Sequence, residues 1–191
     1  MVTIHKPGVI TSQNFLSPSE CQALIDRAEN EIGFTEAAVR TTEGNKMIKD
    51  LRNNDRCMID DFDLAAELWP RVKPLLSNFD IDAEPQCLNE RFRFYKYGPE
   101  QEFKQHKDGI ERVRGMVSHI TFLLYLNSDF EGGHTNFIEY GHEDGELITK
   151  RLSVAPTGGS ALLFLHRQFH EGAKVTKGHK YVLRSDVFYD R

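Results

Sequence analysis

The chain has 191 residues, enough for one domain with a sizeable core and short for two. Its formal net charge is −5, with 28% charged and 39% hydrophobic residues, an ordinary globular balance without an overall basic face for nucleic acid. No apolar run reaches membrane-spanning length, and the start Met1-Val-Thr-Ile-His-Lys-Pro-Gly8 lacks a leader's charged start and apolar core. The three cysteines, Cys21, Cys57 and Cys87, are odd in number and widely spaced, so reduced thiols and a cytoplasmic location are expected.

The first half reads mainly as helix. Ser17-Pro-Ser-Glu20 has the form of a capping box with proline at the first helical position. Cys21, Leu24, Ile25 and Ala28 then recur at helical spacing and mark one buried face. A second helix is expected from near Asp63 to Leu76, with Leu64, Leu68, Val72 and Leu75 inward and a kink or restart at Pro70. Between the helices, Ala38 to Cys57 reads as a long polar loop. Its segment Arg52-Asn-Asn-Asp-Arg56 is rich in directional donors suited to a substrate entrance, with Asn53 and Arg56 as candidates.

The second half changes period. Arg91–Tyr97 alternates, as does much of His119–Leu126. Ser160–Leu165 and Lys180–Tyr189 are compact apolar or alternating runs separated by Gly and Pro. Short strands punctuated by turns predict a sandwich or jelly roll rather than a parallel sheet, hence a mainly β chain with N-terminal helices, of α+β class. No repeat or linker divides it, so 1–191 is read as a single domain with helical support over about 1–80 and a β core over about 88–191.

The chemistry is carried by His106, Asp108 and His170. Two imidazoles and a carboxylate can occupy one face of an octahedral Fe(II) and leave three positions open for cosubstrate and O2. His106 and Asp108 are two apart and can point to one side of a strand. Lys180 follows His170 by ten positions, on a run that reads as a strand. The other histidines, His5, His119, His142, His166 and His179, read as hydrogen-bonded structural or surface residues. Among them His119 has inward parity.

Three stretches carry a resemblance. They are Phe103-Lys-Gln-His-Lys-Asp-Gly, Ile120 to Phe137 with its Glu-Gly-Gly turn, and Gly158 to Lys180. Over about Asn89 to Tyr189 the chain resembles the prolyl 4-hydroxylase-like branch of the 2-oxoglutarate/Fe(II) oxygenases. The resemblance implies a double-stranded β-helix buttressed by the N-terminal helices, with Fe(II), 2-oxoglutarate and O2, and ascorbate as a reductant. It implies that Tyr97 and Tyr125 hydrogen-bond 2-oxoglutarate. Thr135 is placed to add a hydroxyl, and Lys180 to neutralise the C5 carboxylate. Arg184, on the same face, is a second candidate anchor or a partner for Asp186 or a substrate acid. By parity Arg91 and Arg93 also face inward, toward substrate. His134 stands where such enzymes often carry an acid and receives no role. Halogenating relatives replace the carboxylate ligand with a small residue, so Asp108 favours hydroxylation, desaturation or cyclisation.

The expected activity is hydroxylation of a C–H bond in a prolyl, peptidyl or amino-acid-like substrate, with decarboxylation of 2-oxoglutarate to succinate. The expected partner is a small molecule or peptide, not nucleic acid or membrane; the sequence specifies no oligomeric state. The competing reading is a cupin-like metal protein that does not use 2-oxoglutarate.

Overall fold

Alternation along the strands sorts side chains onto two faces, and two cores result. The computed structural model describes residues 1–36, 53–143 and 146–190, with the backbone of Val39–Thr41 and Gly44–Lys46. The principal elements are β1 (Val2–Lys6), β2 (Val9–Ser12), α1 (Pro18–Arg27), β3 (Asp55–Asp60), α2 (Phe62–Val72), β4 (Arg91–Tyr97), β5 (Phe103–His106), β6 (Met116–Tyr125), β7 (Thr135–Glu143), β8 (Glu146–Val154), β9 (Ala161–Leu165), β10 (Phe169–Gly172) and β11 (Lys180–Tyr189).

The larger antiparallel sheet runs β1-β2-β9-β6-β11-β4-β3, with Thr35–Glu36 on its edge; the smaller runs β8-β7-β10-β5. The outward face of the larger sheet carries Phe92, Phe94, Ile120, Phe122, Leu124, Leu163 and Leu183, which pack on the helices through Leu24, Leu68, Val72 and Leu75. The inward face carries Tyr95, Tyr97, Tyr125, Leu162, Phe164 and Val182, which meet Phe137 and Val154 of the smaller sheet. This is the jelly-roll architecture expected of the second half.

The first helix starts where its cap predicts. The Ser17 hydroxyl accepts from the Glu20 amide, and the Glu20 carboxylate accepts from the Ser17 amide. The N-terminal half is less helical than expected. Val2–Lys6 and Val9–Ser12 form a hairpin that pairs with β9. Asp55–Asp60, whose first three residues the sequence places in the polar loop, is a strand paired along β4. Both owe their conformation to partners far along the chain, which local pattern does not contain. The second helix continues through Pro70 and tightens to a 3-10 turn over Lys73–Asn78, at Pro74 rather than Pro70.

Registers align the functional rows. Across the larger sheet Lys180 lies opposite Tyr97, Val182 opposite Tyr95 and Tyr125, Arg184 opposite Arg93 and Leu123, and Asp186 opposite Thr121. In the smaller sheet His170 lies opposite His106. Directly opposed residues share a face, so these rows converge between the sheets. Leu68, 1% exposed, joins α2 to the outer core. Leu68→Ala should cost about 2–5 kcal/mol in denaturant unfolding without altering metal or 2-oxoglutarate affinity. Loss of ligand affinity in the folded variant would contradict the separation of this core from the cleft.

Candidate active site

β5 and β10 bring His106 and His170 side by side, with ring centroids 4.2 Å apart. Asp108 lies just beyond the end of β5, its side chain only 5% exposed. The potential ligand atoms of the three lie within 4.8 Å of one another. His106 Nδ1 donates to the Lys104 carbonyl at 2.8 Å, and His170 Nδ1 donates to the Gln168 carbonyl at 3.1 Å. A carbonyl only accepts, so each proton sits on Nδ1 and each Nε2 keeps its lone pair. Those Nε2 atoms face Asp108, at 3.7 Å from Oδ1 for His106 and 3.8 Å from Oδ2 for His170. Burial, aided by His170, pulls the His106 pKa down to about 3, and burial lowers that of His170. Both rings are therefore neutral donors at ordinary pH. Phe103 stacks on His106 at 3.6 Å and fixes its plane.

Burial alone would raise the Asp108 pKa. Arg184, with the hydrogen bond from Thr121, outweighs it and holds the carboxyl well below its ordinary range. The Thr121 hydroxyl donates to Asp108 Oδ2 at 2.5 Å. Its oxygen accepts from His166 Nδ1 at 2.9 Å, and His166 Nε2 accepts from the Ser118 hydroxyl at 2.9 Å. Ser118 Oγ in turn accepts from the Glu111 amide. The donors thus run in one direction, from Glu111 to the carboxylate. On the other oxygen, Arg184 Nη2 lies 3.3 Å from Asp108 Oδ1 and 2.9 Å from Asp186 Oδ1. Asp186, fully buried, also accepts from Arg93 at 3.0 Å.

Below this cluster a cleft runs between the sheets to Lys180, lined by Tyr95, Tyr97, Thr135, Phe164 and Val182. Lys180 is 4% exposed and donates to the Gly133 carbonyl. Among the described residues no carboxylate pairs with it, and burial lowers its pKa to about 7. The ammonium lies 5.5 Å from the Tyr97 ring and 5.3 Å from the Tyr125 ring. The Tyr125 hydroxyl bonds Thr135 Oγ1 at 2.7 Å, and burial raises its pKa. Gly133 has φ +66, and an added Cβ would stand 3.0 Å from the Lys180 side chain. Glycine is required there by both backbone and space.

The structure thus gathers His106, Asp108, His170, Tyr97, Thr135, Lys180 and Arg184 around one cleft, with Tyr125 bonded to Thr135 at its wall. Arg184 stands four residues from Lys180 on the same strand, about 13 Å along it, and lies at the Asp108 end of the cleft. Arg91 is a correction. It is half-exposed and forms a two-bond pair with Asp60, because the end of β4 projects past the cleft. Arg93 is nearer, held by Asp186 with Glu111 at 3.7 Å. Asn53 binds the backbone of Glu100 and Glu102 and so shapes the loop before β5. Arg56 lies on β3 opposite Tyr95 and is not among the residues lining the cleft. Arg52 of the expected entrance loop lies outside the described residues. His119 also departs from its parity: a register irregularity between Ser118 and Ile120 places it against Tyr189, away from the cluster. The sequence names Asp186 as a candidate partner of Arg184, as found, but gives no role to Thr121 or His166. Parity with Leu123 could have flagged Thr121; nothing local marks His166.

Two facing antiparallel sheets that present two neutral imidazoles and a carboxylate at one end of a cleft, and a buried cation at the other, define a facial-triad oxygenase scaffold. The comparisons agree. Residues 92–185 match the model of the 2OG-Fe(II) oxygenase superfamily. Prolyl 4-hydroxylase 1 of Arabidopsis thaliana is 30% identical over 199 residues, covering 94% of this chain and 68% of that protein. A prolyl-4-hydroxylase from Pseudomonas putida superposes with TM-score 0.65 at 18% identity, covering 97% of this chain and 94% of that one. A prolyl hydroxylase from Trichoplax adhaerens, in complex with a hypoxia inducible factor peptide fragment, superposes with TM-score 0.68 at 19% identity, covering 96% and 84%. The chain belongs to the 2-oxoglutarate/Fe(II) oxygenase superfamily, in its prolyl 4-hydroxylase-like branch. It is accordingly a dioxygenase of the hydroxylase type, a family that uses Fe(II), 2-oxoglutarate and O2.

The residues present fit those groups. The N,N,O donor set suits Fe(II), and an unpaired buried ammonium suits a carboxylate. Thr121→Val removes the hydroxyl that orients Asp108 while keeping the side-chain shape. It should weaken Mn(II) or Fe(II) binding by about 10- to 100-fold, read by titration calorimetry. Unchanged affinity would show that Asp108 needs no outer partner.

Proposed function

We propose that His106, Asp108 and His170 hold Fe(II), and that Lys180 receives the C5 carboxylate of 2-oxoglutarate with hydrogen bonds from Tyr97 and Thr135 and with Tyr125 positioning Thr135. The bound metal and cosubstrate supply an oxidant strong enough to hydroxylate an unactivated C–H bond, with succinate and CO2 released. The observation that carries the reading is the pairing of the three-ligand cluster with a carboxylate-free buried lysine at the far end of the same cleft. A cupin-like metal protein gives no reason to bury that cation beside two tyrosines.

The chain's own residues orient and exclude. Phe103, Phe164 and Val182 wall the cleft with apolar surface and keep water from the reacting end. Lys180 and the hydroxyl pair Tyr125–Thr135 hold the cosubstrate's remote end, so that its other end meets the metal in one orientation. The substrate we propose is a prolyl residue in an extended peptide, on the strength of the named activities of the relatives. The entrance we assign to the rim formed by Arg93 and the loop that Asn53 ties to Glu102, with Arg56 beside it on β3. The whole chain acts as one domain, and ascorbate serves as the reductant that restores Fe(II). No helix of the described residues is long and apolar enough to cross a membrane. The buried free thiols Cys21 and Cys57 support a reducing, cytoplasmic setting.

Lys180→Ala should raise the KM for 2-oxoglutarate by roughly 10- to 150-fold and leave metal binding intact. Succinate release with a prolyl peptide, Fe(II) and ascorbate is the measurement. A normal KM in that variant would overturn the assignment.

The pH dependence has a definite sign. A bound dianion favours protonated Lys180, whose pKa in the free protein is about 7. Below that pH the proton is already in place. Above it, binding must take one up, and affinity falls by up to about tenfold per pH unit. Calorimetry in buffers of differing ionisation enthalpy should show little proton uptake near about pH 6 and close to one proton near about pH 8. Absence of uptake at the higher pH would remove Lys180 from the binding site.

A further inference from the structure

Asp108 is not a carboxylate waiting for a metal. Its Oδ1 lies 3.3 Å from Arg184 Nη2 and its Oδ2 accepts from Thr121. Arg184 keeps its charge at any pH the protein survives. Its Nη2 is shared between two acids: Asp186 Oδ1 stands at 2.9 Å, and Asp186 is itself braced by Arg93 at 3.0 Å. The four side chains Arg93, Asp186, Arg184 and Asp108 therefore form an alternating chain of charge that ends on a proposed ligand. Arg93 lies on β4, Arg184 and Asp186 lie on β11, and Asp108 follows β5, so the chain crosses from the larger sheet to the smaller.

We propose that Arg184 is a positioning residue that competes with the metal for Asp108, and that Asp186 sets how strongly it competes. The proposal rests on the reading that His106, Asp108 and His170 bind the metal. A cation beside the site repels an incoming divalent ion and holds one carboxylate oxygen that would otherwise donate to it. Asp186 offsets the repulsion and shares the guanidinium. Among the described residues, removing the charge of Asp186 leaves Arg184 with Asp108 as its one nearby carboxylate, which tightens the grip on the ligand. Removing the charge of Arg184 releases Asp108 and leaves Asp186 still paired with Arg93. The two substitutions must therefore move metal affinity in opposite directions. A role limited to packing would lower affinity in both. The consequence for the enzyme is a metal held less tightly than its three ligands alone would hold it.

The test is Mn(II) binding to the full chain, stripped of metal and without 2-oxoglutarate, followed by loss of the free Mn(II) paramagnetic signal. Arg184→Met should bind Mn(II) on the order of 10-fold tighter than the parent, and Asp186→Asn on the order of 10-fold weaker. Arg184→Lys, which keeps the charge, should stay nearer the parent than Arg184→Met does. Thermal unfolding and circular dichroism establish that each variant is folded. If Arg184→Met does not fold, the double variant R184M/D186N removes both buried charges together and should bind at least as tightly as the parent. Weaker binding in Arg184→Met or in the double variant would overturn the proposal, as would unchanged binding in Arg184→Met. Failure of the parent chain to bind Mn(II) at all would instead refute the metal assignment on which the proposal rests.

Discussion

Everything at this site depends on a carboxylate held almost out of water. An ionised Asp108 in a cleft between two sheets is costly unless its charge is answered. The larger sheet answers it with Arg184 and the Thr121 hydroxyl, while the smaller sheet sets His106 and His170 beside it. The carboxylate lies beyond the end of its strand, so its position comes from these contacts rather than from a backbone ladder. The imidazoles contribute no charge of their own, because burial keeps them neutral and bonds to the Lys104 and Gln168 carbonyls hold their protons on Nδ1. A divalent ion resolves that arrangement by supplying the positive charge that the lone pairs and carboxylate face.

The cleft then has two cationic ends with different jobs. At the floor, Lys180 is desolvated and, among the described residues, bonds a carbonyl and no carboxylate, so its charge is open to a small dianion. At the metal end, Arg184 is committed to Asp186 and Asp108. The separation follows from strand geometry, since residues four apart on β11 share a face but stand two rows apart. Lys180 sits in the row of Tyr97, whereas Arg184 sits in the row of Arg93 and Leu123. The two residues therefore stand in different surroundings, although the sequence leaves either free to serve as the anchor.

The strands that build the cleft were legible because their alternation is set by burial on two sides: Arg91–Tyr97 and Lys180–Tyr189 have the bounds expected of them. The helix at Pro18 was legible because Ser17 and Glu20 write its cap into adjacent residues. Strands β1, β2 and β3 were hidden, since each is short or polar and is held by partners distant in sequence. At the site, the meeting of His106, Asp108 and His170 in one cleft with Lys180 was readable from spacing. The supports were less so: His166 acts through Thr121 on a residue 58 positions away in the chain, and no local pattern encodes that meeting. Parity misled at Arg91, which extends past the cleft to Asp60, and at His119, where the pairing of β6 shifts register.

The central claim is that one metal sits between the two imidazoles and Asp108 with the cosubstrate reaching from it to Lys180. Crystals of the protein grown with Mn(II) and 2-oxoglutarate test it directly through anomalous scattering. The account predicts a single strong peak within bonding distance of His106 Nε2, His170 Nε2 and an Asp108 oxygen, with the C5 carboxylate of 2-oxoglutarate on the Lys180 ammonium. A peak away from these three side chains, or a C5 carboxylate seated on Arg184, would contradict it.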